Sequence, residues 1–203
     1  MDQAPELPRR KKQPEVLRQT LLDVAAAVAV RIGPGRITLD LVASEAGVSK
    51  GGLLHHFPSK QALLTALFEA SIVSIDARID AALAADDLVT AAAVDAVAKD
   101  AARVGRFTRA YLRAVVDAGA MDKTWDTLAA LLTSEPTLSP LWAQWLDKRL
   151  IAHADTDCST TLTVVRLAVD GLWLAATVPG LLDDRARAAA VAQLLKMATP
   201  SAT

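Results

Sequence analysis

Thr38 to Lys60 reads TLDLVASEAGVSKGGLLHHFPSK, and its spacing of caps, glycines and apolar residues decides the fold. Thr38 can cap a short helix carrying Leu39, Val42, Ala43 and Ala46. Gly47 ends that helix, since glycine enters the left-handed region without a Cβ penalty. Ser49 caps a second short helix through Lys50, Gly51, Gly52, Leu53, Leu54, His55, His56 and Phe57, and Pro58 closes it. Ser59 opens a third helix, with an apolar run at Leu63, Leu64, Leu67, Phe68, Ile72 and Ile75. Short helix, glycine turn, short helix is the helix-turn-helix layout.

Upstream, Val16, Leu17, Thr20, Leu21, Val24, Ala25 and Val28 form a stripe at helical spacing after Pro14, and Gly33-Pro34-Gly35 stops it. Arg9 to Lys12 is a basic run, read either as a solubilising disordered tail or as an arm that adds phosphate contacts. It also resembles the basic start of a secretion signal, but no apolar segment follows and Pro14 intervenes.

Hydrophobic residues make up 52% of the 203 and aromatics only 4%, with alanine abundant, which favours an all-α chain over sheet. Residues 1–60 hold nine Lys/Arg against six Asp/Glu, and the remainder holds thirteen against seventeen. The basic end is where a polyanion would sit. No apolar stretch is long enough to span a bilayer, and the single cysteine, Cys158, can form no intrachain disulfide. No partnership with a membrane is expected, and the expected location is cytoplasmic. Enzyme signatures are absent: no G-x-S-x-G, H-E-x-x-H, C-x-x-C or phosphate loop occurs. Cys158 lies beside an Asp-Thr stretch expected to be flexible, and such a lone thiol is ordinarily inert. No catalytic residue, metal or cofactor is expected.

The stretch from Thr38 to Leu64 resembles the DNA-binding signature of the TetR family, including the Gly47-Val48-Ser49 turn, the His56-Phe57 pair and the Ser59-Lys60 that follows. The resemblance covers roughly residues 15–65. It implies an all-α protein with a three-helix DNA-binding headpiece plus a larger helical ligand-binding and dimerisation domain. The expected division is a disordered basic arm over 1–13, a headpiece over 14–60 and the larger domain over 61–199. The partners implied are double-stranded operator DNA, a second copy of the chain and a small lipophilic effector. A repressor is expected, although the same headpiece serves activators. The competing reading is a helical ligand-binding or interaction protein that never touches DNA.

In such proteins the second helix of the motif enters the major groove. The resemblance assigns Thr38, Ser49, Lys50, Gly51, Gly52, His55, His56 and Lys60 to the DNA interface. Lys50 can donate to guanine O6 or N7, or hold a phosphate. Two glycines in one helix cost about 1 kcal/mol each relative to alanine, so something other than local stability keeps them. They let the backbone approach base edges, or they allow tight packing against the preceding helix. His55 and His56 stand about 100° apart on a helix, so they are no zinc pair. They are a solvated surface pair or, given the motif, contacts to phosphate or base. The family commonly has tyrosine where this chain has Leu54, and leucine holds no phosphate. His55 or Lys60 must do so, or the contact is missing.

Beyond residue 70, breaks are expected at Asp86-Asp87, Gly105, Gly119 to Lys123, Pro136 to Pro140, Ala154 to Cys158 and Pro179-Gly180. Ser139 is expected to cap a helix that has Pro140 in its first turn. Leu162 to Ala176 is apolar almost all round and needs partners on more than one side. With Ala188 to Met197 it suits the dimer interface that the resemblance implies, centred on Val169 and Trp173. Arg166 and Asp170 are spaced for an intrahelical pair, or can pair across the dimer. Phe107, Tyr111, Trp125, Trp142, Trp145 and Trp173 are core or, as the resemblance suggests, the wall of an effector pocket. Asp117, Asp122 and Asp126 can pair a cation there or stand solvated.

Overall fold

In the computed structural model, residues 12–91, 95–117, 124–175, 178 and 180–199 are described, and they form eleven α-helices with no strand. The segment 1–11, with most of the basic arm, lies outside them. So do Gly119 to Lys123, including Asp122, and Pro179.

Helix α1 (Lys12–Ile32) carries Pro14 in its first turn, where a missing N–H costs nothing. Its buried face is Leu21, Leu22, Ala25, Val28 and Ala29. The predicted stripe is therefore rotated: Val16 is 63% exposed, and the Thr20 hydroxyl donates to the Val16 carbonyl instead of facing the core. Gly33 ends α1, and a 3₁₀ turn (Pro34–Arg36) leads into α2 (Leu39–Glu45) and α3 (Lys50–His56).

Helix α4 (Lys60–Ala91) runs for 32 residues without the predicted break at Asp86-Asp87. The aspartates stay helical because both have arginine partners on α6 (Arg106–Val116). Asp86 is buried and takes Arg109 through two bonds, Nη2 at 2.6 Å and Nε at 3.2 Å. Asp87 pairs with Arg106 at 2.6 Å. The Arg109 guanidinium also donates to the carbonyls of Ala102 at the end of α5 (Ala96–Arg103), of Val104, and of Ala198 at the end of α11 (Asp184–Ala198). One cation thus pins three chain ends to α6.

Gly105 turns the chain before α6 with φ +75°, and a Cβ there would lie 2.5 Å from the Ala198 carbonyl oxygen. Any other residue would be strained and would also clash.

Helix α7 (Thr124–Ser134) packs on both α1 and α4, so the headpiece and the body share walls. The 3₁₀ turn Pro136–Leu138 feeds straight into α8 (Ser139–Ala152). Ser139 is already helical and caps nothing, because its N–H donates to the Pro136 carbonyl with no chain reversal. Pro140 does sit in the first turn.

Ala154 to Cys158 is not a plain break. Ala154–Asp157 forms the short α9, and Asp157 is 2% exposed. Its carboxylate accepts from the N–H groups of Phe107 and Thr108 and from the Thr108 hydroxyl at 3.2, 2.8 and 2.6 Å. Cys158 beside it is exposed.

Helix α10 (Thr160–Ala175) buries Leu162, Val165, Arg166, Val169, Leu172 and Trp173 within its own protomer. Val169 is fully buried, so the predicted interface centre at Val169 and Trp173 faces the wrong way. The outward stripe is Val164, Leu167 and Leu174 at 49%, 65% and 43% exposure, with Gly171 between them. Arg166 and Asp170 form no intrahelical pair, because each has a partner inside the protomer. Arg166 reaches the Thr108 hydroxyl at 2.9 Å and the Asp157 carbonyl at 3.1 Å, with the Asp157 carboxylate 4.0 Å away.

Candidate nucleic-acid interface and aromatic cluster

The headpiece is capped as its sequence demands. Thr38 Oγ1 accepts from the N–H of Leu41 at 3.1 Å, Ser49 Oγ from Gly52 at 3.1 Å, and Ser59 Oγ from Ala62 at 3.0 Å. Each satisfies one of the donors orphaned at a helix start. Gly47 has φ +69°, and the N–H of Val48 returns to the Ala43 carbonyl at 3.0 Å, closing the end of α2. Leu53 and Phe57 point inward, fully buried and 2% exposed. That orientation leaves Lys50, Gly51, Leu54 and His55 on the outer face of α3, with His56 half-buried at its edge.

Gly51 and Gly52 are not explained by packing within the chain. A Cβ on Gly51 would meet nothing closer than Ser49 Oγ at 4.0 Å, and one on Gly52 would touch the same atom at 3.4 Å. Both are ordinary contacts. The two bare positions at the start of α3 leave its backbone open to whatever approaches.

The lysines are not idle. Lys50 Nζ lies 3.0 Å from Asp40 Oδ2, with both side chains more than half exposed. Such a surface pair is worth about 0–1 kcal/mol and exchanges readily for another anion. Lys60 Nζ donates to the Gly35 carbonyl at 2.7 Å, tying the first turn of α4 to the 3₁₀ turn. Sequence reasoning missed three arginines nearby. Arg31 pairs with Glu45 and joins α1 to α2, Arg18 lies 5.2 Å over the Phe57 ring, and Arg36 is exposed beside Gly35. The signal for Arg36 was available, as a cation two residues before the first cap. The other two depend on partners far along the chain.

The six predicted pocket aromatics form one contiguous run. Phe107 stacks on Tyr111 at 6.2 Å, Tyr111 meets Trp125 edge-on at 6.0 Å, and Trp125 meets Trp173 at 5.8 Å. Trp142 then bridges Trp173 at 6.2 Å and Trp145 at 4.7 Å. Three indole N–H groups have internal acceptors: Trp125 on the Ala114 carbonyl, Trp145 on Asp76 and Trp173 on Asp170. Trp142 is half-buried at the edge of the run.

The acids that meet these rings are Asp170 and Asp76, the latter also paired with Arg149, and not those singled out from the sequence. Asp117 is exposed, and Asp126 lines a separate cleft against α1. Asp170 accepts from the Tyr111 hydroxyl at 2.5 Å. Burial pushes its carboxyl above the usual range, opposed by the Tyr111 and Trp173 hydrogen bonds and by Arg166. Burial, then the neighbouring Asp170, pushes the Tyr111 phenol well up, so it stays protonated and donates. Among the described residues, no cluster is suited to hold a metal ion and no helix is long and apolar enough to cross a membrane.

Two family models match. Residues 21–67 match the bacterial regulatory proteins of the tetR family, and residues 105–199 match the tetracyclin repressor-like C-terminal domain. The chain is 29% identical over 195 residues to the HTH-type transcriptional regulator BetI of Serratia proteamaculans (strain 568), covering 91% of this chain and 92% of that one. Among solved structures, the multidrug binding protein EbrR complexed with malachite green superposes with a TM-score of 0.65 at 22% identity, over 96% of this chain and all of the other. A TetR-family member from Streptomyces coelicolor A3 gives the same TM-score and identity over 91% and 99%.

Proposed function

The chain belongs to the TetR family of DNA-binding transcriptional regulators, which are not enzymes, and from that premise we propose a ligand-released repressor working in the cytoplasm. It binds a palindromic operator as a two-fold dimer, with one α3 in the major groove of each half-site. Ser49 presents the free N–H groups of α3 to phosphate, and Lys50 exchanges Asp40 for a base edge. Thr38, His55, His56 and Lys60 frame the helix against the backbone, with Lys60 acting through the Gly35 turn as well as by its charge. The outward apolar faces of α10 and α11 supply the dimer contact.

The observation that carries the DNA assignment is the pair Gly51 and Gly52, whose missing Cβ atoms nothing in the chain requires. A Gly52→Ala variant tests it. Helix propensity should raise its stability by up to about 1 kcal/mol. Its affinity for fragments selected from a random DNA pool by the parent should fall at least about tenfold. A variant that is more stable yet binds the selected fragment as the parent does would remove α3 from the groove.

The effector is an aromatic or lipophilic cation. EbrR is seen with malachite green and with ethidium, both aromatic cations. Here the run of indoles around the half-buried Asp170 carboxylate supports the same class, since ring faces and a partly desolvated anion both attract a cation. Ethidium should quench tryptophan fluorescence and free the operator fragment. Asp170→Asn should weaken ethidium about tenfold while leaving a neutral aromatic unchanged. Equal affinities for the two ligands in both proteins would show that Asp170 serves only Tyr111.

A further inference from the structure

A cleft of about 270 Å³ lies where headpiece helix α1 meets α4 and α7, lined by none of the six aromatics of the run. Leu22 and Leu67 give it an apolar wall, while Asp23, Ser74 and Thr127 give it a polar one. Thr127 is the telling residue. It is 1% exposed, and its hydroxyl is buried with no hydrogen-bond partner. Such a group retains its full desolvation penalty unless something in the cleft bonds to it. The neighbouring Ser71 hydroxyl donates to the Leu67 carbonyl at 3.0 Å, and no bond joins it to Thr127.

Charge narrows the class. Asp23 is the one charged group among the described residues lining the cleft, and Gln19 donates to only one of its oxygens, Oδ1, at 2.9 Å. An added anion would be repelled, whereas an ammonium group finds the second Asp23 oxygen and the hydroxyls. The volume is below the usual 300–1,000 Å³ of drug-sized pockets. We propose that this cleft is a binding site for a small amphipathic amine, its ammonium on Asp23, its polar end within reach of Thr127 and its hydrocarbon against Leu22 and Leu67. A molecule held there touches the headpiece and the body at once.

The test uses the full chain with cyclohexylamine as probe and cyclohexanol as its uncharged counterpart of similar shape, followed by methyl NMR. Cyclohexylamine should produce saturable shifts at Leu22, Leu67 and the Thr127 methyl. Thr127→Val keeps the shape and removes only the hydroxyl, and it should weaken the amine about tenfold. Asp23→Asn, at an exposed position, should abolish the preference for amine over alcohol. Trp142→Ala should leave all of this unchanged, which separates the cleft from the aromatic run. The proposal is overturned if no saturable shift reaches the cleft at millimolar amine, or if Thr127→Val binds as the parent does. The hydroxyl would then be a hydration site only.

Discussion

Leu167→Glu is expected to give a folded monomer that no longer holds operator DNA. Leu167 is the most exposed large apolar residue of α10 and sits in the outward stripe between Val164 and Leu174. A helix whose inner face is already packed has no use for that stripe within the protomer. In a two-fold interface the substitution appears twice, so two carboxylates are desolvated near the axis without a cation to meet them. Once the copies part, each headpiece binds its half-site alone and the advantage of linkage, about 10²–10⁴ in affinity, is lost. Light scattering at micromolar concentration and gel retardation read both effects. Circular dichroism should be unchanged, because the residue is mostly exposed in its own chain. A parent protein that is itself monomeric, or a variant that stays dimeric, would place the interface elsewhere. Val169→Glu cannot make this test, since it would put the charge into the protomer's own core.

Asp157→Ala should cost about 3–5 kcal/mol, the usual loss when one partner of a buried charge pair is removed. Three consequences coincide in that substitution. The Arg166 guanidinium loses its nearest carboxylate, the N–H groups of Phe107 and Thr108 lose their acceptor, and α9 is released from the start of α6. Urea unfolding should show the midpoint shift with little change in slope. Adding Arg166→Met should recover part of the loss, since an apolar side chain no longer needs the missing carboxylate. A single variant within about 1 kcal/mol of the parent would mean that the pair adds nothing over water.

The headpiece was legible because its instructions are local. Thr38, Ser49 and Ser59 each cap a helix by bonding an N–H three residues on, and Gly47 turns on its own backbone freedom. Such signals need no knowledge of the rest of the chain. The body was legible as helices but not as faces. A helix that is apolar all round offers no periodicity to choose between Val169, which is inside, and Leu167, which is outside. Charged residues misled for a related reason. Asp86 looked like a helix stop, and Asp170 looked like the partner of Arg166. Each is instead held by a residue remote in sequence, Arg109 and Tyr111 respectively. The grouping of tryptophans and the family resemblance pointed to the aromatic residues but not to Asp170, because nothing in the spacing brings Tyr111 beside it.

The unbroken α4 has a mechanical consequence. From Lys60, fastened to the turn ahead of the recognition motif, to Asp86, clamped by Arg109, the rod is about 40 Å long. Pivoting about the clamped end by only about 5° carries the other end about 3.5 Å, close to the rise between neighbouring nucleotides on one DNA strand. On the proposed function the arginine clamp would serve as a fulcrum, and the helix as a lever that magnifies a slight repacking of the body into a register error on the duplex. In the proposed dimer each protomer would swing its own arm, so opposed displacements would add across the two-fold axis. In the proposed complex, a pivot of that size would take both recognition helices out of step with their half-sites.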